Sequence, residues 1–249
     1  MTQSIYATLE NGVATIAFNR PAEGNIYDED VLCAFITALD DFAEDEAVRV
    51  LVIRSEGKDF CLGADPAWMR RIASSPRYES SISASQISRM LETLMNFPVP
   101  TLAVVQGKAQ AGALGILACC DYVVGSEDSH YQMNEVHQAS MPVISTPYLI
   151  RIMGERKVRW LMLTGEEINA ETAQTLGLIH QRVPLSELAS AAQYRIDHWL
   201  SMSPVTLRQA KIVLSYSAPD YFDPEMSDEL ADLLADTRIE FYKHEDKNQ

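Results

Sequence analysis

The feature that most restricts the fold of this 249-residue chain is the alternation of short apolar runs with stretches of helical periodicity. Residues 48–53 form an apolar run broken only by Arg49, and residues 101–105 form a second, both short enough to be buried strands. Between residues 28 and 42, Val31, Leu32, Phe35, Ile36 and Leu39 recur at helical spacing, which gives a strand, helix, strand start. A hairpin precedes it: strands over residues 6–9 and 13–18 meet at Asn11-Gly12, and Arg20-Pro21 ends the second.

Beyond a loop at residues 60–65, the Ser-rich stretch 74–85 reads as mobile, and a helix through Met90, Leu91, Leu94 and Met95 stops at Pro98-Val99-Pro100. An apolar helix over 112–120 follows, then strands over 122–124 and 130–133. From Pro147 the pattern turns helical: 149–153, 158–163, 169–176 with Asn169 as N-cap and Gly177 as C-cap, 185–200, 205–214 and 226–242. A single strand, 179–183, interrupts it. The class is therefore α/β, with residues 1–190 as an α/β core and 191–249 as a C-terminal helical region of one functional domain. The polar end, 241–249, reads as a tail without fixed structure.

With 47% hydrophobic and 22% charged residues the chain has the composition of a folded globular protein. Its net charge of −15 repels nucleic acid phosphates and anionic lipid surfaces, so neither is an expected partner. No apolar run approaches the roughly 20 residues of a bilayer span. Residues 1–9 lack the basic flank and apolar stretch of an export signal. Cys33, Cys61, Cys119 and Cys120 show no CxxC pair or ligand spacing, which fits a reducing cytoplasm and no metal site.

Three segments carry candidate chemistry. Phe60-Cys61-Leu62-Gly63-Ala64-Asp65 follows a strand and precedes a helix, and its Gly-Ala pair lets a ligand approach the main chain. Gly107-Lys108-Ala109-Gln110-Ala111-Gly112-Ala113-Leu114-Gly115 opens an apolar helix, whose first N–H groups suit a developing oxyanion. In Asn134-Glu135-Val136 a carboxylate stands in otherwise apolar and neutral sequence, where desolvation would raise its pKa into the range of a general acid or base.

In this order and at these distances, the three segments resemble the crotonase superfamily, the enoyl-CoA hydratases and isomerases. Supporting pieces are Asn19-Arg20-Pro21 with Asn25, Met153-Gly154-Glu155-Arg156, Leu163-Thr164-Gly165, Ala173 with Gly177-Leu178-Ile179, and Ser203-Pro204 with Ala210-Lys211. The resemblance implies a spiral core of repeated ββα units and a helical C-terminal trimerisation region whose helices complete neighbouring sites. It implies an oxyanion hole from the N–H groups of Ala64 and Gly112, with Glu135 as proton carrier. It places a pantetheine arm near Asp65, Trp68 and Met69, with Lys211, His137 and Tyr148 as further substrate contacts. No prosthetic group is expected, the substrate riding on CoA or phosphopantetheine, and the assembly is a homotrimer or a hexamer.

Two departures narrow the reading. Hydratases of the family carry two glutamates, but the position of the first is Gly115 here, which leaves Glu135 alone. At Pro21-Ala22-Glu23-Gly24-Asn25, Glu23 stands where relatives place a base that meets CoA phosphates; Lys211, Lys58, Arg70 and Arg71 are the remaining candidates, and an acyl carrier protein becomes an alternative to CoA. The second motif is similar to dehydratases of 3-hydroxy-3-methylglutaryl-carrier protein in polyketide β-branching. Residues 133–136 with Pro142-Val143-Ile144-Ser145 and Pro147-Tyr148 resemble 3-methylglutaconyl-CoA hydratases. A Δ3,Δ2-enoyl-CoA isomerase and a non-catalytic scaffold are the alternatives. Helper acids, if any, would come from His137, Tyr131 or Tyr148.

Overall fold

The computed structural model describes residues 3–138, 141–217 and 224–245. Strand β1 (Ile5–Glu10) pairs antiparallel with β2 (Val13–Phe18) across a turn in which Asn11 and Gly12 both adopt positive φ, the geometry that matches strand twist. Helix α1 (Glu29–Glu44) starts where the Asp28 side chain accepts the N–H of Val31. The chain then runs through β3 (Val50–Ser55), α2 (Pro66–Ser74), α3 (Arg77–Met95), β4 (Thr101–Val105), β5 (Lys108–Gln110) and α4 (Ala113–Cys119). Strands β6 (Tyr122–Ser126) and β7 (His130–Gln132) follow, then α5 (Thr146–Met153), α6 (Glu155–Thr164), β8 (Glu167–Asn169), α7 (Ala170–Leu176) and β9 (Gln181–Val183). Helices α8 (Leu188–Leu200), α9 (Pro204–Ser217) and α10 (Pro224–Glu245) end the described chain.

The strands make two sheets, one ordered β1-β2-β3-β4-β6-β9 and parallel from β2 onward, the other ordered β5-β7-β8. Strand β3 leads to Cys61, which bridges to Ala109 at the edge of the small sheet, and then to α2. Strand β4 leads to β5 and α4, and β6 leads to β7 and α5. Each turn of the chain thus lays one strand in each sheet before a helix, the repeated ββα spiral that the resemblance implies.

The apolar runs read as continuous because both faces of the large sheet are covered. On β3, Leu51 and Ile53 join the main core, whereas Val50 and Val52 face Leu188, Ala192 and Ile196 of α8. On β4, Ala103 and Val105 take the first face and Leu102 the second.

Several expectations are corrected. The Ser-rich stretch is not mobile loop but the body of α3, with Ser80, Ser83 and Ser88 buried beside Ala84 and Ile87. The helical third contains a second strand, β8, and the glycine-rich turn contains β5. Residues 241–245 of the expected tail continue α10, and 246–249 lie outside the described residues. Helix α10 packs on α3 and α2 of its own chain, burying Ala231, Leu234 and Ala235. Among the described residues no helix is long and apolar enough to cross a membrane.

Candidate active site

Asn25 anchors the first wall of the site. Its side chain accepts the Arg20 N–H at 2.9 Å and donates to the carbonyls of Glu56 and Asp59 at 2.9 and 2.8 Å. Two residues on, the Tyr27 N–H donates to the Gly63 carbonyl at 3.0 Å, and the Tyr27 carbonyl accepts the Asp65 N–H at 2.8 Å. In a parallel bridge the residue between such partners turns its own N–H the other way. Ala64 is that residue, and its N–H has no acceptor among the described residues.

The second wall follows β5. Ala111 donates its N–H to the Gln132 carbonyl at 2.9 Å and sits at φ +52°, a left-handed conformation that costs a non-glycine residue about 1 kcal/mol or more. This fold of the chain turns the next N–H, that of Gly112, out of the ladder, and it too lacks an acceptor among the described residues. Such backbone strain collects at functional sites. The two walls touch. Gly63, at φ +94°, has no room for a side chain, since a Cβ there would lie 2.8 Å from that of Ala111. The segments holding both free N–H groups are therefore packed backbone to backbone.

Glu135 sits in a single 3-10 turn, Asn134–Gln138, directly after β7. It is 7% exposed, and its Oε2 has no hydrogen-bond partner among the described residues. Burial pushes its pKa up to about 7, only partly opposed by its own backbone N–H. Asn134 Oδ1 and Trp68 Nε1 are also among the buried polar atoms without partners in the described residues. Asn134 itself is held through Gln110 at 3.3 Å, Gln110 through Gln132 at 3.0 Å, and Gln132 through the Gly165 carbonyl at 2.8 Å. That amide chain ties the Glu135 turn to the strand that precedes Gly112.

The position of the missing glutamate is closed. A Cβ on Gly115 would lie 2.8 Å from Ser145 Cβ and 3.0 Å from Leu91 Cδ1, so the space a carboxylate there would use belongs to Ser145, the residue before α5, and to α3.

The remaining candidates divide. Asp65 caps α2, its Oδ1 accepting the N–H groups of Ala67 at 2.6 Å and Trp68 at 3.1 Å. Trp68 is 2% exposed and packs edge-on to Tyr27 at 6.3 Å, with Met69 partly buried against the same core. His137 is bonded through Nε2 to the Gly165 carbonyl at 3.1 Å, within the amide chain of Glu135. Tyr148 is buried near Cys119 and Glu92, and burial holds its phenol proton far above the usual range. Tyr131 directs its hydroxyl to Ser129 at 2.8 Å, and burial pushes its pKa up to about 12.

Lys211 is not brought to this site. Its Nζ bonds both oxygens of Asp121 at 2.7 Å, and Asp121 also accepts the Thr101 N–H at the start of β4, the end of that strand away from β5 and Gly112. Glu23 is paired with Arg20, whose other arm reaches Asp28 at 2.8 Å. The residue that sequence reasoning missed is Tyr27: no motif singles it out, yet it brackets Ala64 with its backbone and meets Gly112 with its ring.

The family model for enoyl-CoA hydratase/isomerase matches residues 8–238. An enoyl-CoA isomerase/hydratase of Mycosarcoma maydis is 30% identical over 235 residues, 88% of this chain and 85% of that protein. The crotonyl-CoA hydratase of Syntrophomonas wolfei is 27% identical, over 90% of this chain and 86% of its own. The crystal structure of an enoyl-CoA hydratase from Shewanella pealeana superposes with a TM-score of 0.83 at 32% identity, covering 99% of this chain and 92% of that one. The chain belongs to the enoyl-CoA hydratase/isomerase family and is an enzyme of the crotonase superfamily.

Proposed function

We propose that this enzyme holds the enolate of an acyl thioester with the N–H groups of Ala64 and Gly112 and moves one proton with Glu135, dehydrating a 3-hydroxy-3-methylglutaryl thioester. The ionised Glu135 takes the α proton, and the C–H electron pair passes into the enolate. The enolate then reforms the thioester carbonyl as the β C–O bond breaks, and the departing hydroxide takes the proton back from Glu135 to leave as water. Run in reverse, the same steps hydrate 3-methylglutaconyl thioester. Each oxyanion donor is worth about 3 kcal/mol of transition-state stabilisation. The observation that carries the reading is the single desolvated carboxylate, protonatable near pH 7, with one free oxygen and a closed position at Gly115.

Trp68 and Met69 wall the pantetheine path, Asp65 holds their helix, His137 steadies the Glu135 turn, and Tyr148 backs the acyl pocket. No prosthetic group takes part. A carrier protein is the preferred acyl bearer, because Lys211 and Arg71 are engaged by Asp121 and Glu29, which leaves Lys58 and Arg70 for CoA phosphates. Assembly is as a homotrimer, supported by the apolar side chains exposed on α8 and α9: Tyr194, Val205, Ile212, Val213 and Leu214. Sedimentation at three times 27.8 kDa is the expected result, and a mass of 27.8 kDa overturns it.

A second reading, Δ3,Δ2-enoyl thioester isomerisation, is favoured by the same lone carboxylate, since one base suffices to carry a proton between two carbons. Intact-mass and chromatographic analysis of 3-hydroxy-3-methylglutaryl thioester on CoA and on a carrier protein decides between them. Loss of water, reduced by 10² to 10⁴ in Glu135→Gln, is the expected outcome. Turnover of the CoA ester alone would place the enzyme in catabolism. Turnover only of a 3-enoyl thioester would install the isomerase.

A further inference from the structure

We infer that Tyr27 is the positioning residue of the donor pair, its hydroxyl fixing where the Gly112 N–H stands relative to that of Ala64. Two independent contacts meet in this one side chain and its backbone. The Tyr27 backbone brackets Ala64 through the bonds to Gly63 and Asp65 at 3.0 and 2.8 Å. Its ring reaches across to Gly112, where an added Cβ would lie 2.2 Å from Oη, 3.3 Å from Cζ and 3.6 Å from Cε1.

Gly112 has φ −55° and ψ −18°, which any residue adopts, so the backbone does not demand glycine there. The hydroxyl of Tyr27 does. Tyr27 is itself fixed on three sides: by Asn25 two residues earlier, by Asp28, which caps α1 and pairs with Arg20, and by the edge of Trp68. A side chain so held transmits position from the first wall to the second. An oxyanion hole depends on donors standing about 3 Å from where charge develops, so a displacement of a few tenths of an ångström at Gly112 weakens it without unfolding the chain.

This inference rests on the thioester-enolate reading, and the test separates the two. Acetoacetyl-CoA, a β-ketoacyl thioester that ionises readily, serves as a probe whose enolate absorbs in the ultraviolet without turnover. Wild type is expected to raise the bound enolate signal. Tyr27→Phe is expected to keep its melting temperature within a few degrees, to lower kcat on the thioester substrate about tenfold or more with KM within about threefold, and to shift enolate formation to higher pH. Gly112→Ala is expected to lose activity and melting temperature, and Tyr27→Phe/Gly112→Ala to regain most of the melting temperature and activity up to the level of Tyr27→Phe, since the nearest remaining atom, Cζ, lies 3.3 Å away. An unchanged kcat in Tyr27→Phe, or a double variant no better than Gly112→Ala, overturns the positioning role. A wild type that binds the probe without an enolate signal overturns the thioester reading and the donor-pair role with it. Recovery of melting temperature in the double variant would then still record the contact itself.

Discussion

Glu135 enters the folded state as a carboxyl group at 7% exposure, with its pKa raised from 4.5 to about 7 by desolvation. The native chain therefore binds this proton more tightly than the unfolded chain does. The sign follows by linkage: the stability that the neutral carboxyl contributes is fully present below about pH 4.5 and is lost as pH rises through about 7, by up to about 3 kcal/mol. Glu135→Gln keeps the neutral shape without the titration. Its melting temperature is expected to match wild type near pH 4.5 and to exceed it increasingly up to pH 8, while activity is lost. Thermal scans at several pH values check this, and a gap independent of pH would mean that folding leaves the Glu135 pKa at its unfolded value. Under the proposed dehydration, which begins with proton abstraction by ionised Glu135, kcat/KM of the wild-type enzyme is expected to rise with pH through about 7.

At the scale of elements, the α4·α5·α3 contact decides what the site cannot be. Gly115→Ala forces a Cβ to 2.8 Å from Ser145 Cβ, and overpacking of this kind costs about 1–3 kcal/mol. Adding Ser145→Gly removes the facing atom and is expected to restore most of the loss by chemical denaturation, whereas Ser145→Ala, which keeps that atom, is not. How much of this was legible in sequence depends on how local each cause is. The Asp28 and Asn169 caps, the Gly177 left-handed end and the Asn11-Gly12 turn are chemistry within four residues, and their elements are visible without a structure. Strands β5 and β8, three residues each, carry Lys108, Gln110, Glu167 and Asn169 and exist only because β7 lies between them. The serines of α3 read as a loop because serine is a weak helix former; packing of α3 between α10 and α1, which buries Ser80, Ser83 and Ser88, overrides that preference. In the site, Ala64, Gly112 and Glu135 stand out by their neighbours in sequence. The engagement of Lys211 by Asp121, 90 residues away, and the reach of Tyr27 to Gly112 do not, since both are made by packing between distant segments.

Over the whole molecule, the position of α10 links the end of the chain to the wall of the site. It rests on α3 and touches α2, the helix that carries Trp68 and Met69 and is capped by Asp65. Two kinds of contact hold it there. Arg77 meets Asp236 at 2.6 Å and Asp232 at 3.3 Å, but these charges are half exposed and solvent screens them. Leu234 is 5% exposed between Ala231 and Ala235, and burial of this kind is what a leucine-to-alanine change forfeits, about 2 kcal/mol or more. Leu234→Ala is therefore expected to lower the melting temperature clearly and, because α2 loses its backing, to raise KM for the thioester more than it lowers kcat. Arg77→Ala is expected to change both barely, and less still at high salt. The reverse order of effects would show that the ion pairs hold α10 in place. Equal KM in wild type and Leu234→Ala would mean that α2 keeps the proposed pantetheine path in shape without α10 behind it.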